Sequence, residues 1–406
     1  MNVFLLLGGA AGIAFAVYFL ITSLGGFLSG RRYVLEERPD STRIAAVIAA
    51  RNEAAVVPHL VKSLLAQEYP RELFDVYVVP NNCTDNTEAV SLATGAKVLH
   101  CTEPVTRKGD ALRQAFAQLT ATGRYDAYCV FDADNLVHSG FFHQVNNVCL
   151  AGYDAAQGFR DSYYRFDSWL SGGTTIFYWF MSRVFNESRA RLGLNCHLNG
   201  TGFMVTDALI KRQGWETFTL TEDLEYTAQC ALGDARIGWM PKARVYDEQP
   251  IRFIDSAVQR RRWTAGSLQC TWRYAARLWK KHTPCSLDAA CLFTGNLMNY
   301  VGVISAVISV VKFWPLLKTN PGALAAGGIA YLAGMWLLCM AGAIIMLKME
   351  GRLCRESVPT ILLFPLFVIS WMPINIYASL TPPPRWRMVR HTRSVSLSDL
   401  KEADAP

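Results

Sequence analysis

The chain has 406 residues, 51% of them hydrophobic, with 40 lysines and arginines against 33 acidic residues and a formal net charge of +7. At ~150 residues per domain this length holds one large domain with additions. Eleven scattered cysteines without a Cys-x-x-Cys pair favour reduced thiols in a cytosolic setting over a disulfide framework or a zinc site. Much of the excess basicity lies beside apolar segments, so anionic lipid is the expected partner and nucleic acid is not.

Residues 3–27 carry no charged side chain. A helix of ~20 apolar residues crosses a bilayer core, so this stretch predicts an uncleaved membrane anchor within residues 1–30. Three further apolar runs lie near residues 291–311, 323–347 and 359–380, within a predicted membrane region of residues 286–384. Arg31 and Arg32 on one side and Arg277, Lys280 and Lys281 on the other flank the intervening domain, which puts it in the cytoplasm of a multi-pass plasma-membrane protein. Four simple spans would leave the basic tail, residues 385–406, on the far side. Pro359, Pro365 and Pro373 make the last run a candidate for a broken or re-entrant helix, and Trp314-Pro315 marks a second place for irregularity.

Within residues 41–250, residues 44–50 read as a buried strand, followed by Arg51-Asn52-Glu53 and a helix through Leu60, Leu64 and Leu65. Residues 74–79, 96–99 and 127–131 read as further strands and residues 110–119 as a helix. Strand and helix in alternation predict an α/β fold, a mostly parallel sheet covered on both faces, with ligands beyond the carboxyl ends of its strands. Neither a Gly-x-Gly-x-x-Gly nor a P-loop pattern is present.

Polar clusters follow in a fixed order. Asp132 and Asp134 directly follow a strand, and at period two both carboxylates reach one cleft, where hard oxygen ligands suit Mg²⁺ or Mn²⁺. Asp223, in Thr221-Glu222-Asp223, enters a helix for which Thr219 or Thr221 is available as a cap, and a carboxylate there is a candidate base. Residues 251–285 read as amphipathic interfacial helix. Gln259, Arg262 and Trp263 share one face of it, with Arg262 suited to phosphate and Trp263 to stacking on a sugar or acceptor.

These motifs resemble inverting glycosyltransferase family 2, in its membrane-embedded branch of cellulose, hyaluronan and poly-N-acetylglucosamine synthases. The matching elements are residues 44–53, residues 82–87, Lys108-Gly109, Asp132 with Asp134, Gly200-Thr201-Gly202, Thr221-Glu222-Asp223, and Gln259 with Arg262 and Trp263. The resemblance implies a GT-A fold, a UDP-sugar donor, a divalent cation and inversion at the anomeric carbon. It assigns Ala50, Arg51, Glu53, Asn81, Lys108 and Asp132 to the nucleotide and Asp132 and Asp134 to the metal. Asp223, Glu222 and Arg262 fall to catalysis, and Gly200, Thr201, Gly202, Gln259 and Trp263 to the acceptor. Asn81, after Pro80, stands where relatives carry an aspartate that pairs with uracil; its amide offers donors as well as an acceptor.

The expected reaction is sugar transfer to a hydroxyl, with processive synthesis of a β-linked polysaccharide as the first reading. The alternative is single-sugar transfer to a lipid. A transporter or anchored binding module is the non-enzyme reading, weakened because Asn296, Asn299 and Asn375 in the apolar runs are not ionisable. Whether a second copy or an export partner assists is left open by the residues.

Overall fold

The computed structural model describes residues 2–319 and 321–383, so the basic tail 385–406 lies outside the described residues. Eight strands form the central sheet: β1 (Ile44–Ala50), β2 (Phe74–Pro80), β3 (Lys97–Val98), β4 (Ala127–Asp132), β5 (Leu136–Val137), β6 (Ala155–Ser162), β7 (Phe203–Thr206) and β8 (Ile237–Asp247). Their order is β3-β2-β1-β4-β7-β6-β8-β5. The four strands expected from sequence form the parallel half, with β1 between β2 and β4, and β3 outside β2. Strand β7 then enters antiparallel between β4 and β6, β8 runs parallel to β6, and β5 closes the edge antiparallel to β8. The sheet is therefore mixed.

Strand β1 explains why the parallel half is so apolar. Ala45 and Val47 face a core with Phe116, Trp179 and Trp239, while Ile44, Ala46 and Ile48 face one with Leu60, Leu64 and Phe142. A strand covered on both faces has no solvent side to alternate toward.

Among the described residues, three helical stretches are long and apolar enough to cross a membrane: Gly8–Leu28, Ala325–Met349 and Arg355–Leu380. A fourth forms if Pro284–Gly295 and Tyr300–Lys312, bent by 43° from each other, are one span. That bend departs from the expected irregularity at Trp314-Pro315, because Pro315 lies inside helix Pro284–Thr319. The Phe15 ring of the first helix fills the space a Cβ at Gly295 would take, so glycine lets the two helices meet closely beside the bend. The last run does break as its prolines predict, into Val358–Ile369 and Trp371–Leu380. Pro373 has no N–H for the Ile369 carbonyl four residues back.

Buried ion pairs tie these helices to the sheet domain. Arg189, fully buried, donates from Nε to Asp288 Oδ2 at 3.0 Å, and Tyr18 of the first helix donates to Asp288 Oδ1 at 2.5 Å. Glu350, at the end of the 325–349 span, accepts from Arg183 at 2.6 Å and Arg244 at 3.2 Å. Arg244 also meets Asp161 at 3.0 Å, which takes both Arg165 Nε and Nη2 and the Trp179 indole N–H. Burial works against the Asp161 charge, but the arginines outweigh it and hold its carboxyl below the usual range. Asp161→Asn leaves these guanidiniums undercompensated and is expected to destabilise the protein by about 3 kcal/mol, read as a lower unfolding midpoint in detergent.

Candidate active site

The carboxyl ends of β1, β2 and β4 open on one cleft of about 1950 Å³. Its rim is built by two interlocked turns. Asn52 and Asn82 both adopt positive φ, 58° and 51°, a region asparagine tolerates better than most residues. Asn52 Oδ1 accepts the Thr84 N–H at 2.7 Å, Thr87 Oγ1 accepts the Glu53 N–H at 2.8 Å, and Asp85 accepts the Ala54 N–H at 3.1 Å. The two motifs after β1 and β2 thus hold each other in place. Arg51, Glu53 and Asn81 line the cleft. Ala50, assigned to the nucleotide by resemblance, is buried in β1 and its neighbour Ala49 forms the wall instead.

Asn81 donates through Nδ2 to the Ala50 carbonyl at 3.0 Å and the Val79 carbonyl at 3.3 Å. Both amide hydrogens are engaged by backbone, which leaves Oδ1 as the group this side chain offers a ligand.

Asp132 and Asp134 stand on the same wall, with Asp223 and Arg262 across the same cleft. Lys108 Nζ lies 2.5 Å from Asp132 Oδ1, 2.6 Å from the Gly200 carbonyl and 3.5 Å from Glu222 Oε1. Burial disfavours the ammonium, but Asp132 and Glu222 outweigh it and raise its pKa. The Asp132 carboxyl is depressed in turn: burial opposes its charge, and Lys108, Arg160 and Arg262 prevail. Among the described residues no three His, Cys, Asp or Glu side chains are placed to hold a metal ion together, and the candidate donors here are the pair Asp132 and Asp134. That set fits Mg²⁺ or Mn²⁺, which keep waters and take remaining ligands from phosphate.

Asp223 is the second residue of helix Glu222–Leu232. Its carboxyl is pushed up to about 7, first by burial and then by the adjacent Glu222 charge, with Lys108 and Arg160 opposing. The helix start is not capped as expected, since neither Thr219 nor Thr221 accepts a cap bond. Glu225 instead ties down the loop that leads into the helix, accepting the Phe218 and Thr219 N–H groups at 2.7 Å each and the Tyr274 hydroxyl at 2.7 Å. Of the three neighbouring acids, Glu222 and Asp223 line the cleft and Glu225 is structural.

Gly200 reaches the cleft with φ +82°, a conformation that would strain any side chain there, and a Cβ would lie in contact with Asp223 Oδ2 at 3.4 Å. Thr201 and Gly202 do not line it. Thr201 is buried, accepting the Asp132 N–H at 3.0 Å and donating to Asn135, and Gly202 bonds back into β4. They brace the Asp132 turn from behind.

Gln259, Arg262 and Trp263 all line the cleft from helix Phe253–Lys281. Gly266 lets that helix press on the Asp223 turn, where a Cβ would come within 2.6 Å of the Thr221 side chain. Gln269 accepts the Leu220 N–H at 3.0 Å in the same contact. Trp263 stacks on Trp371 at 6.2 Å and meets the Tyr178 edge at 6.1 Å.

Sequence reasoning missed Arg160, Tyr178 and Trp371. Arg160 of β6 is clamped by Asp247 Oδ2, 2.6 Å from its Nε, donates to the Asn199 carbonyl, and lies 3.9 Å over the Tyr178 ring. An arginine in an otherwise buried strand was the available signal. Beyond Trp263 the wall turns apolar, with Phe293, Val303, Phe364, Val368, Met372 and Ile376 from the membrane-side helices.

The profile described as glycosyltransferase-like family 2 matches residues 39–266, more than half of the chain. The chain belongs to glycosyltransferase family 2. This family 2 chain is 28% identical over 283 residues to a β-monoglucosyldiacylglycerol synthase of Synechocystis sp., covering 65% of the chain and 56% of that relative. It thus spans about half the length of that relative and of its Nostoc counterpart. It is 23% identical over 392 residues, 89% of each chain, to the probable glycosyltransferase YdaM of Bacillus subtilis. Its fold is similar to that of the mannosyltransferase PcManGT from Pyrobaculum calidifontis, solved with GDP-Man and Mn²⁺. The TM-score is 0.64 at 14% identity, over 93% of this chain and 98% of that one. The expected GT-A architecture is the one observed.

Proposed function

We propose that the chain transfers one sugar, with inversion, from a UDP-sugar to the hydroxyl of a membrane lipid, its catalytic domain facing the cytoplasm and its apolar helices crossing the bilayer. One observation carries this reading. A single cleft joins Asp132, Asp134 and Asp223 to an apolar wall made by the membrane-side helices. An acceptor suited to both ends has a hydroxyl head and an apolar tail. The names of the Synechocystis and Nostoc relatives, diacylglycerol glycosylating enzymes, agree with it. Elongation of a polysaccharide uses the same chemistry, and the aromatic group Trp263, Tyr178 and Trp371 would also suit a sugar chain.

Asp223 takes the proton of the acceptor hydroxyl as its oxygen bonds to the anomeric carbon and the bond to the diphosphate breaks on the opposite face. Asp132 and Asp134 would hold Mg²⁺ or Mn²⁺, which when bound neutralises charge growing on the departing diphosphate. Arg262 and Lys108 add fixed positive charge on the same side, where preorganised charge lowers a barrier most. Asn81 Oδ1 accepts the uracil imino N–H. Asn81→Leu leaves that donor unpaired and is expected to raise the KM for the UDP-sugar about 10- to 100-fold at little change in kcat.

The test is UDP release from a panel of UDP-sugars with Mn²⁺ or Mg²⁺, in phosphatidylcholine vesicles with and without dioleoylglycerol, followed by product mass. Turnover that needs the added lipid and yields a single-sugar glycolipid is expected. A polymer, or turnover indifferent to the lipid, would overturn the acceptor assignment.

A further inference from the structure

The run from Gln259 to Trp263 contains an arginine that the reaction does not use. Helix Phe253–Lys281 turns Gln259, Arg262 and Trp263 into the cleft, which leaves Arg260 on another face. There it is 1% exposed. Its Nη1 donates to Ser370 Oγ at 2.8 Å and to the Phe367 carbonyl at 3.4 Å. Its guanidinium carbon lies 4.9 Å from the Phe367 ring centre, 5.4 Å from Trp371 and 5.8 Å from Phe253. Burial pulls the guanidinium down to about 10, which leaves it charged at neutral pH.

All of these partners except Phe253 surround the break in the last apolar run. A break in such a helix frees backbone carbonyls that have no water to turn to, so a donor must reach them. Here the Phe367 carbonyl accepts the Ser370 hydroxyl at 2.7 Å, and Arg260 braces that pair from outside, donating to the same hydroxyl at 2.8 Å and to the carbonyl at 3.4 Å. The same break puts Phe367, Val368, Ile369, Trp371 and Met372 on the cleft wall, and Trp371 is stacked on Trp263 where the polar and apolar halves of the cleft meet.

We infer that Arg260 is a positioning residue for the acceptor: it pins the break at Ser370 so that Trp371 stays against Trp263 and shapes the passage by which an apolar-tailed alcohol reaches Asp223. The inference rests on the lipid-acceptor reading for its functional consequence. The donor end is built from other elements, the turns after β1, β2 and β4, so loss of Arg260 should spare it. A buried cation with aromatic faces around it is not replaceable by shape alone, whereas lysine keeps the charge and N–H donors but loses the planar fork.

The experiment uses the full chain in phosphatidylcholine vesicles containing dioleoylglycerol, comparing wild type, Arg260→Met, Arg260→Lys and Ser370→Ala. Arg260→Met is expected to raise the KM for the lipid about tenfold or more, with the donor KM and UDP affinity within about twofold and Arg260→Lys intermediate. Amide hydrogen exchange across residues 367–374 should accelerate in the same variant, and less so in Ser370→Ala, which keeps the protein folded if Arg260→Met does not. Equal loss of donor and lipid affinity, or unchanged exchange across the break, would overturn the inference. If wild type ignores dioleoylglycerol, the acceptor reading fails on its own, and the exchange data still decide whether Arg260 holds the break.

Discussion

Asp223→Asn is expected to lower turnover by about 10²- to 10⁴-fold, the usual contribution of a positioned general base, while UDP affinity stays near wild type. The amide keeps the shape of the side chain and its place at the start of helix Glu222–Leu232, and removes the basicity. Single-turnover transfer and calorimetric UDP binding measure the two quantities separately; wild-type turnover would end the assignment of this residue as base. The wild-type pH profile carries a further sign. A base must be ionised to act, and the Asp223 carboxyl sits at about 7, so kcat/KM should climb as pH rises through neutrality. Burial pushes it up most, and Glu222 is the charged neighbour that adds to the rise. Glu222→Gln removes that charge and should move the acid limb to lower pH, whereas a limb that stays put would mean that another group controls it.

The second large effect concerns the cation. Asp134→Asn should reduce metal-supported turnover by about 10²- to 10³-fold, the several kcal/mol that a bound ion contributes to a developing phosphate charge. In calorimetry, UDP binding to this variant in Mn²⁺ should fall to the level that wild type shows with chelator. Asp132→Asn differs in kind, because Asp132 also holds Lys108 Nζ at 2.5 Å. Its loss frees the lysine as well, so donor affinity should change even in chelator. Identical behaviour of the two variants would argue that Lys108 and the ion do not share Asp132.

Much of the donor end was legible because alternating strands and helices allow few arrangements. Once residues 44–50 and 127–131 read as parallel strands, the residues after them had to gather at one edge, and Asp132, Asp134, Arg51 and Asn81 do. The acceptor end was less legible. Arg160 depends on β8 lying beside β6, and Trp371 on a helix break more than one hundred residues after Trp263 in the chain. Neither neighbour relation leaves a local pattern. The acids 222, 223 and 225 looked interchangeable as favourable charges at a helix start. Only the docking of helix Phe253–Lys281, with Tyr274 reaching Glu225, separates a structural carboxylate from those facing the cleft. Thr221 holds the N-cap position without a side-chain cap bond, while Glu225 fastens the preceding loop through the Phe218 and Thr219 N–H groups. In Gly200-Thr201-Gly202, the spacing could not tell which residue faces a ligand, and only Gly200 does.

The salt links from Glu350 to Arg183 and Arg244 have a practical consequence for anyone trimming this protein. A fragment ending at residue 283 would shed the carboxylate that compensates two arginines of the catalytic half, along with the Phe367 to Met372 face of its own reaction chamber. Such a truncation should be insoluble or inert for reasons unrelated to its chemistry.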